Sequence, residues 1–220
     1  MSMIEPSKPN TQSEKAYRIL KKMIMCGNIR EGEVMSTVML SEQLGIGRTP
    51  VSNACQRLEH DGLVRVIPKQ GVWVNALTID QAVEIYESRA TIEAFFARKS
   101  INFFEQSDID TLNTSVERQL ALGEKKDYAG YIAEDSFFHR YSMSKYKNDT
   151  LMEMYDRIID RIFLYGVRSV SNNESRIENA TQEHREIIRC IENKDVDSMV
   201  KALESHIMNG YIQLTGIYKL

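Results

Sequence analysis

The chain has 220 residues, 42% of them hydrophobic and 27% charged, with a formal net charge of −3. That composition excludes a disordered or fibrous chain and leaves room for one or two domains. No apolar run approaches the roughly 18 residues of a membrane span, and the opening stretch MSMIEPSKPNTQSEK lacks the apolar core of a secretory signal.

Cys26, Cys55 and Cys190 are odd in number and widely spaced, so neither a disulfide framework nor a thiolate zinc site is expected. A reducing cytoplasm is the expected location, without membrane attachment. The charge is unevenly placed. Residues 1–76 carry ten Lys/Arg against seven Asp/Glu, and residues 77–220 carry 18 against 24. A mildly basic front and an acidic rear fit a small DNA-binding module joined to a different kind of domain.

Residues 1–12 read as a flexible tail. Ala16, Ile19, Leu20, Met23 and Ile24 then recur at helical spacing, up to a stop at Gly27. A short helix is expected from about Val38 to Leu44, ended by Gly45. Thr49 is the expected cap of the next helix, with Pro50 at its first position and its end at Asp61-Gly62. Leu63–Ile67 and Val72–Asn75 flank Pro68-Lys69-Gln70-Gly71 and read as a hairpin. Trp73 is assigned to the core, as is Cys55. His60, at the end of the third helix, is expected to be exposed.

All four prolines lie at or before Pro68, so nothing behind them interrupts long helices. The rear is expected to form helices near 79–104, 107–124, 127–146, 149–169, 173–193 and 195–219. Thr78-Ile79-Asp80-Gln81 has the form of a capping box, and Ser107 and Asp195 are the other expected caps. The predicted fold is mainly α. An N-terminal winged helix-turn-helix over 13–77 is followed by a C-terminal all-helical antiparallel bundle over 78–220.

In a winged helix-turn-helix, the N-terminus of the second helix of the pair enters the major groove, where base edges present a full donor and acceptor code. Here that end carries Arg48, Thr49, Ser52 and Asn53, with Gln56 and Arg57 a turn later, while Val51, Ala54, Cys55 and Leu58 face inward. Lys69, Gln70 and Gly71 form the expected wing tip. Double-stranded operator DNA is the expected partner. Solvated surface charge is the alternative reading of each basic residue taken alone.

Polar residues on apolar stripes are the other signal. One predicted helix turns Tyr128, Tyr131, Ile132, Asp135, Phe138, His139 and Ser142 to one face. The next stripes contain His184 among isoleucines and His206 among Met199, Leu203 and Gly210. Burying an unpaired carboxylate and three imidazoles is expensive, and a divalent ion removes that cost. Satisfied core histidines and a plain Asp135–His139 helix pair are the alternative.

The stretch LSEQLGIGRTPVSNACQRLEHDGLVRVIPKQGVWV resembles the GntR family of bacterial transcription regulators. The resemblance implies DNA contacts at Arg48, Thr49, Arg57 and the Lys69–Gly71 wing. Ser52-Asn53 stands where the family usually has Arg-Glu, so a common DNA-contacting arginine is missing. The segments ESRATIEAFFARKSI, EDSFFHRYSMSKYKNDTL and EHREIIRCIENKDVDSMVKALESHI resemble the FCD domain of the FadR subgroup. That resemblance implies a metal set of Asp135, His139, His184 and His206, whose imidazole-rich donors suit zinc or nickel, and a small organic acid as effector. Arg89 fits as the carboxylate's counter-charge; its alternative is a same-helix pair with Glu93.

Together these readings describe a dimeric repressor, not an enzyme, whose operator binding responds to a carboxylate metabolite. A metal-sensing regulator and a metal-dependent enzyme fused to a DNA-binding module are the rivals.

Overall fold

The computed structural model describes residues 11–25, 28–29, 32–75, 78–172 and 175–217. Nearly all of the expected tail, Cys26, the stop at Gly27 and positions 76–77 of the domain junction lie outside those residues. The chain divides into two compact units, Met1–Ala76 and Leu77–Leu220.

The first unit contains α1 (Gln12–Met25), β1 (Val34–Met35), α2 (Thr37–Leu44), α3 (Arg48–His60), β2 (Val64–Ile67) and β3 (Gly71–Val74). α1 buries Ala16, Tyr17, Leu20 and Ile24, one stripe at three- and four-residue spacing, and packs on α3. The Ser36 side chain caps α2 by accepting from the Met39 N–H at 3.1 Å. Gly45 closes that helix in the left-handed region at φ 60°, where a side chain is disfavoured.

α3 begins earlier than the sequence suggests. Gly47, not Thr49, is its N-cap, and the Val51 N–H donates to the Gly47 carbonyl at 3.2 Å. Pro50 therefore sits one turn in. It is still harmless there, because the first four helical N–H groups have no intrahelical acceptor.

The sheet order is β1-β3-β2, antiparallel throughout. β1 has only two residues and leaves no periodic trace in the sequence. Trp73, expected in the core, is 41% exposed, whereas its strand neighbours Val72 and Val74 are buried. Alternation along a strand puts one residue of each such pair outward, and hydrophobicity does not override it. Gly71 has φ 129°, and a Cβ there would lie 2.5 Å from the Met35 carbonyl oxygen. Only glycine lets β1 approach the start of β3 so closely.

The second unit is helical: α4 (Ile79–Ser100), a 3-10 turn (Ile101–Phe103), α5 (Gln106–Glu124), α6 (Tyr128–Met143), α7 (Asp149–Asn172), α8 (Ser175–Glu192) and α9 (Val196–Ile217). Thr78 and Gln81 form the reciprocal capping box of α4. The Ser198 N–H donates to Asp195 at the start of α9. Glu105, not Ser107, caps α5, and its N–H donates to Asp108 Oδ2 at 2.9 Å. Asp108 stands three residues beyond Glu105, where a side chain can reach back to the cap.

α5 packs on α6 and α8, α4 on α9, and α8 on α9. Their shared core includes Phe104, Leu112, Val116, Phe138, Ile187, Ile191, Met199 and Leu203. Each such side chain, fully buried, contributes about 1.5–3 kcal/mol against exposure. Among the described residues no helix is long and apolar enough to cross a membrane.

Candidate functional site

Phe138 and His139 lie together on the buried face of α6, with Asp135 one turn before His139 and half-buried. His184 is fully buried on α8 and His206 is buried on α9. Packing of α6, α8 and α9 brings these side chains to one point. His139 Nε2 is 3.1 Å from His206 Nε2 and 3.2 Å from His184 Nε2, and the latter two are 3.3 Å apart. Asp135 Oδ1 lies 3.5 Å from His184 Nε2 and 4.0 Å from His139 Nε2. One donor atom from each of the four residues falls within 4.8 Å of every other.

The far side of each ring explains the near side. His139 Nδ1–H donates to Glu93 Oε2 at 2.7 Å, His184 Nδ1–H to Gln119 Oε1 at 3.0 Å, and His206 Nδ1–H to Glu183 Oε2 at 2.7 Å. Carboxylate and carbonyl oxygens only accept, so each Nδ1 carries the proton. Burial, then the neighbouring imidazoles, hold His184 and His206 well below the usual histidine range, which keeps them neutral. Their Nε2 atoms therefore present lone pairs to each other. Lone pairs converging on one point repel without a cation between them, and fixing of the outer nitrogen is the regular support of metal-bound histidine. Ligand nitrogens about 2.0–2.1 Å from a zinc-sized ion sit roughly 3 Å apart, so the spacing found here fits such an ion.

Arg89, on α4, is 5% exposed. Its Nε donates to Glu93 Oε1 at 2.7 Å, so the same-helix pair exists. Its Nη2 is buried and has no partner. Arg89, Asp135 and His206 line one cavity of about 600 Å³, its open mouth included, with Tyr86, Tyr131 and Arg176. The pair with Glu93 therefore leaves part of the guanidinium unused at the cavity wall.

Sequence reasoning missed the outer partners. Glu93 accepts from Arg89, His139 and the Tyr155 hydroxyl. Burial alone would raise its carboxyl, yet His139 and Arg89 hold it well below the usual range. Glu183 and Gln119 read as ordinary helix-surface residues in the sequence. Arg176 was passed over too; it pairs with Glu183 Oε2 at 2.8 Å. Helical spacing named Glu93 only as a same-helix partner of Arg89, and nothing in the sequence signalled its bond to His139.

In the first unit, Arg48, Thr49, Asn53, Gln56 and Arg57 are exposed on α3, with Ser52 half-buried. Lys69 and Gln70 are exposed at the hairpin tip, where Lys69 adopts φ 65°, and Gly71 is half-buried beside them. Arg57 differs from the others. Its guanidinium lies 3.9 Å from the centre of the Tyr17 ring and pairs with Glu14. His60 is exposed, and Cys55 is buried, its thiol pushed up to about 11 by desolvation.

Residues 12–74 match the family described as bacterial regulatory proteins, gntR family, and residues 84–209 match the FCD domain. The uncharacterised HTH-type transcriptional regulator YdhC of Bacillus subtilis is 26% identical over 204 residues, covering 90% of this chain and 89% of that one. The HTH-type transcriptional repressor RspR of Escherichia coli is 24% identical over 210 residues, covering 94% and 89%. The solved structure of E. coli McbR/YncC superposes with a TM-score of 0.82 at 20% identity over 95% of this chain and 99% of that one, which speaks to the fold. The chain belongs to the gntR family of bacterial regulatory proteins, as a transcription regulator whose DNA-binding unit precedes an FCD domain.

Proposed function

We propose that the chain is a metal-dependent, ligand-responsive repressor. α3 and the wing bind operator DNA through Arg48, Thr49, Ser52, Asn53, Arg57 and the Lys69–Gly71 tip. Two such units in a homodimer read two half-sites. Asp135, His139, His184 and His206 hold a divalent ion, zinc or nickel by the imidazole-rich donor set. Arg89 binds the carboxylate of a small organic acid in the adjoining cavity. Repression is the sign favoured by RspR and by the Bacillus licheniformis relative named as a gluconate operon transcriptional repressor.

The observation that carries this reading is the mutual approach of three Nε2 atoms while every Nδ1 faces an outer acceptor. Bound at that point, the ion supplies positive charge and open coordination positions for an oxygen ligand. The chain's residues do the rest. Glu93, Gln119 and Glu183 hold the three imidazoles in one tautomer. Asp135 offsets charge, and Arg89 orients a carboxylate. For the effector to alter DNA binding it must favour one arrangement of the protein over another.

The test measures metal content and operator retardation on one preparation. About one divalent ion per chain, with retardation altered by a small carboxylate, is the expected result. DNA release on metal addition alone favours a metal sensor. A chain that binds no divalent ion removes the metal reading.

A further inference from the structure

The cavity beside Asp135 and His206 has an uneven charge inventory. Its ionisable wall consists of Arg89, Asp135, Arg176 and His206 together with two phenols. The carboxylates of Glu93 and Glu183 pair with the two arginines. Metal-ligating imidazoles are neutral, so in the metal-bound site three carboxylates face two guanidiniums and one negative charge is left over before the ion is counted. A divalent ion on the four ligands turns that into a single positive charge. One carboxylate neutralises it.

The donors give the same count. Both Nη atoms of Arg176 are engaged, Nη1 on Glu183 Oε2 at 2.8 Å and Nη2 on the His206 carbonyl at 3.3 Å. Arg89 commits only its Nε, and its buried Nη2 has no partner. A first carboxylate meets an unsatisfied guanidinium edge. A second would meet Asp135, an arginine already neutralised, or the apolar wall of Ile132, Ile162 and Ile207. Desolvating an unpaired carboxylate there is strongly unfavourable.

The phenols add a further requirement. Tyr86 and Tyr131 line this cavity, and among the described residues neither hydroxyl has a hydrogen-bond partner. Burial pushes the Tyr86 hydroxyl up to about 12 and raises Tyr131 as well, so both stay neutral. A neutral phenol both donates and accepts, which suits an alcohol.

We propose that the effector is a monocarboxylate with a neutral, hydroxyl-bearing remainder, and that the Arg176–Glu183 pair makes the cavity reject dicarboxylates. This rests on the metal-and-carboxylate reading above and narrows its ligand class.

The test uses the full chain loaded with zinc, metal content checked, and calorimetric titration with acids matched in carbon number. Glycerate is compared with tartronate and with propionate, and gluconate with glucarate and with hexanoate. In at least one size class the hydroxylated monocarboxylate binds tightest. Its dicarboxylate partner binds more than about tenfold more weakly, since the second carboxylate is left unpaired or placed beside Asp135. The deoxy acid is weaker by a factor of several. Dicarboxylates binding as tightly as their monocarboxylate partners overturn the inference and leave the carboxylate reading standing. Deoxy acids equal to hydroxy acids overturn the hydroxyl requirement. Zinc-loaded chain that binds no acid overturns both this inference and the effector reading it rests on.

Glu183→Gln supplies an independent check. It keeps an acceptor for His206 Nδ1 but releases the Arg176 charge. Dicarboxylates should then gain on monocarboxylates by about tenfold, compared at saturating zinc with the metal content of both chains measured, because the same change also weakens the support of His206. Unaltered selectivity in zinc-loaded Glu183→Gln overturns the proposed role of the pair.

Discussion

Glu93 and His139 stand 46 positions apart in the chain and meet at 2.7 Å, carboxylate Oε2 against imidazole Nδ1. The other oxygen of the same carboxylate accepts from Arg89 Nε at 2.7 Å. One buried side chain thus orients both a proposed metal ligand and the proposed anchor of the effector. Glu93→Gln keeps the size but removes the charge. Zinc affinity is expected to fall about 10–100-fold, the usual effect of losing an outer-sphere partner, as read by chelator competition. Wild-type affinity in that variant would show that Glu93 only packs the core.

His184 contributes its Nε2 to the centre of the cluster and stacks on Phe138 with ring centroids 4.1 Å apart. In His184→Ala the metal content and the effector response should both drop, while basal operator binding persists. Elemental analysis beside a retardation assay checks this. Full metal occupancy in His184→Ala contradicts the ligand assignment.

Arg48 is exposed at the first turn of α3, where Gly47 leaves the helix N-terminus uncovered by any capping side chain. Removing its side chain touches no core residue, so Arg48→Ala should abolish operator retardation with little change in melting temperature. Retardation equal to the parent chain rules Arg48 out as a contact.

Arg57 is held by Glu14 and by the face of Tyr17. A phosphate must compete with Glu14 for that guanidinium. In Glu14→Gln the competition is removed. Operator affinity should rise, and the logarithmic salt dependence should steepen by about one ion, the increment expected for one added phosphate contact. A slope identical to the parent's means that Arg57 does not reach the backbone.

Linear reasoning reached the four converging residues because they break an otherwise apolar stripe: Asp135 and His139 on α6, His184 on α8, His206 on α9. A polar group on an inward face is conspicuous. Glu93, Gln119 and Glu183 are not, since glutamate and glutamine are ordinary on any helix and only packing shows which of them faces a ring. Trp73 failed for the opposite reason. Its hydrophobicity argued for burial, but the alternation of Val72 and Val74 had already assigned it outward. β1 left no pattern because two residues are too few to show a period.

The order of helices and hairpin, the exposed basic face of α3 and the identity of the four inward polar residues were set by the sequence alone, through local periodicity and the placement of glycine and proline. Three things depended on the tertiary structure. These are the approach of the Nε2 atoms to within 3.3 Å, the tautomer imposed by Glu93, Gln119 and Glu183, and the single unsatisfied edge of Arg89. The physical reason is that periodicity fixes which face a side chain occupies, whereas distance and hydrogen-bond pairing between helices depend on how those faces pack.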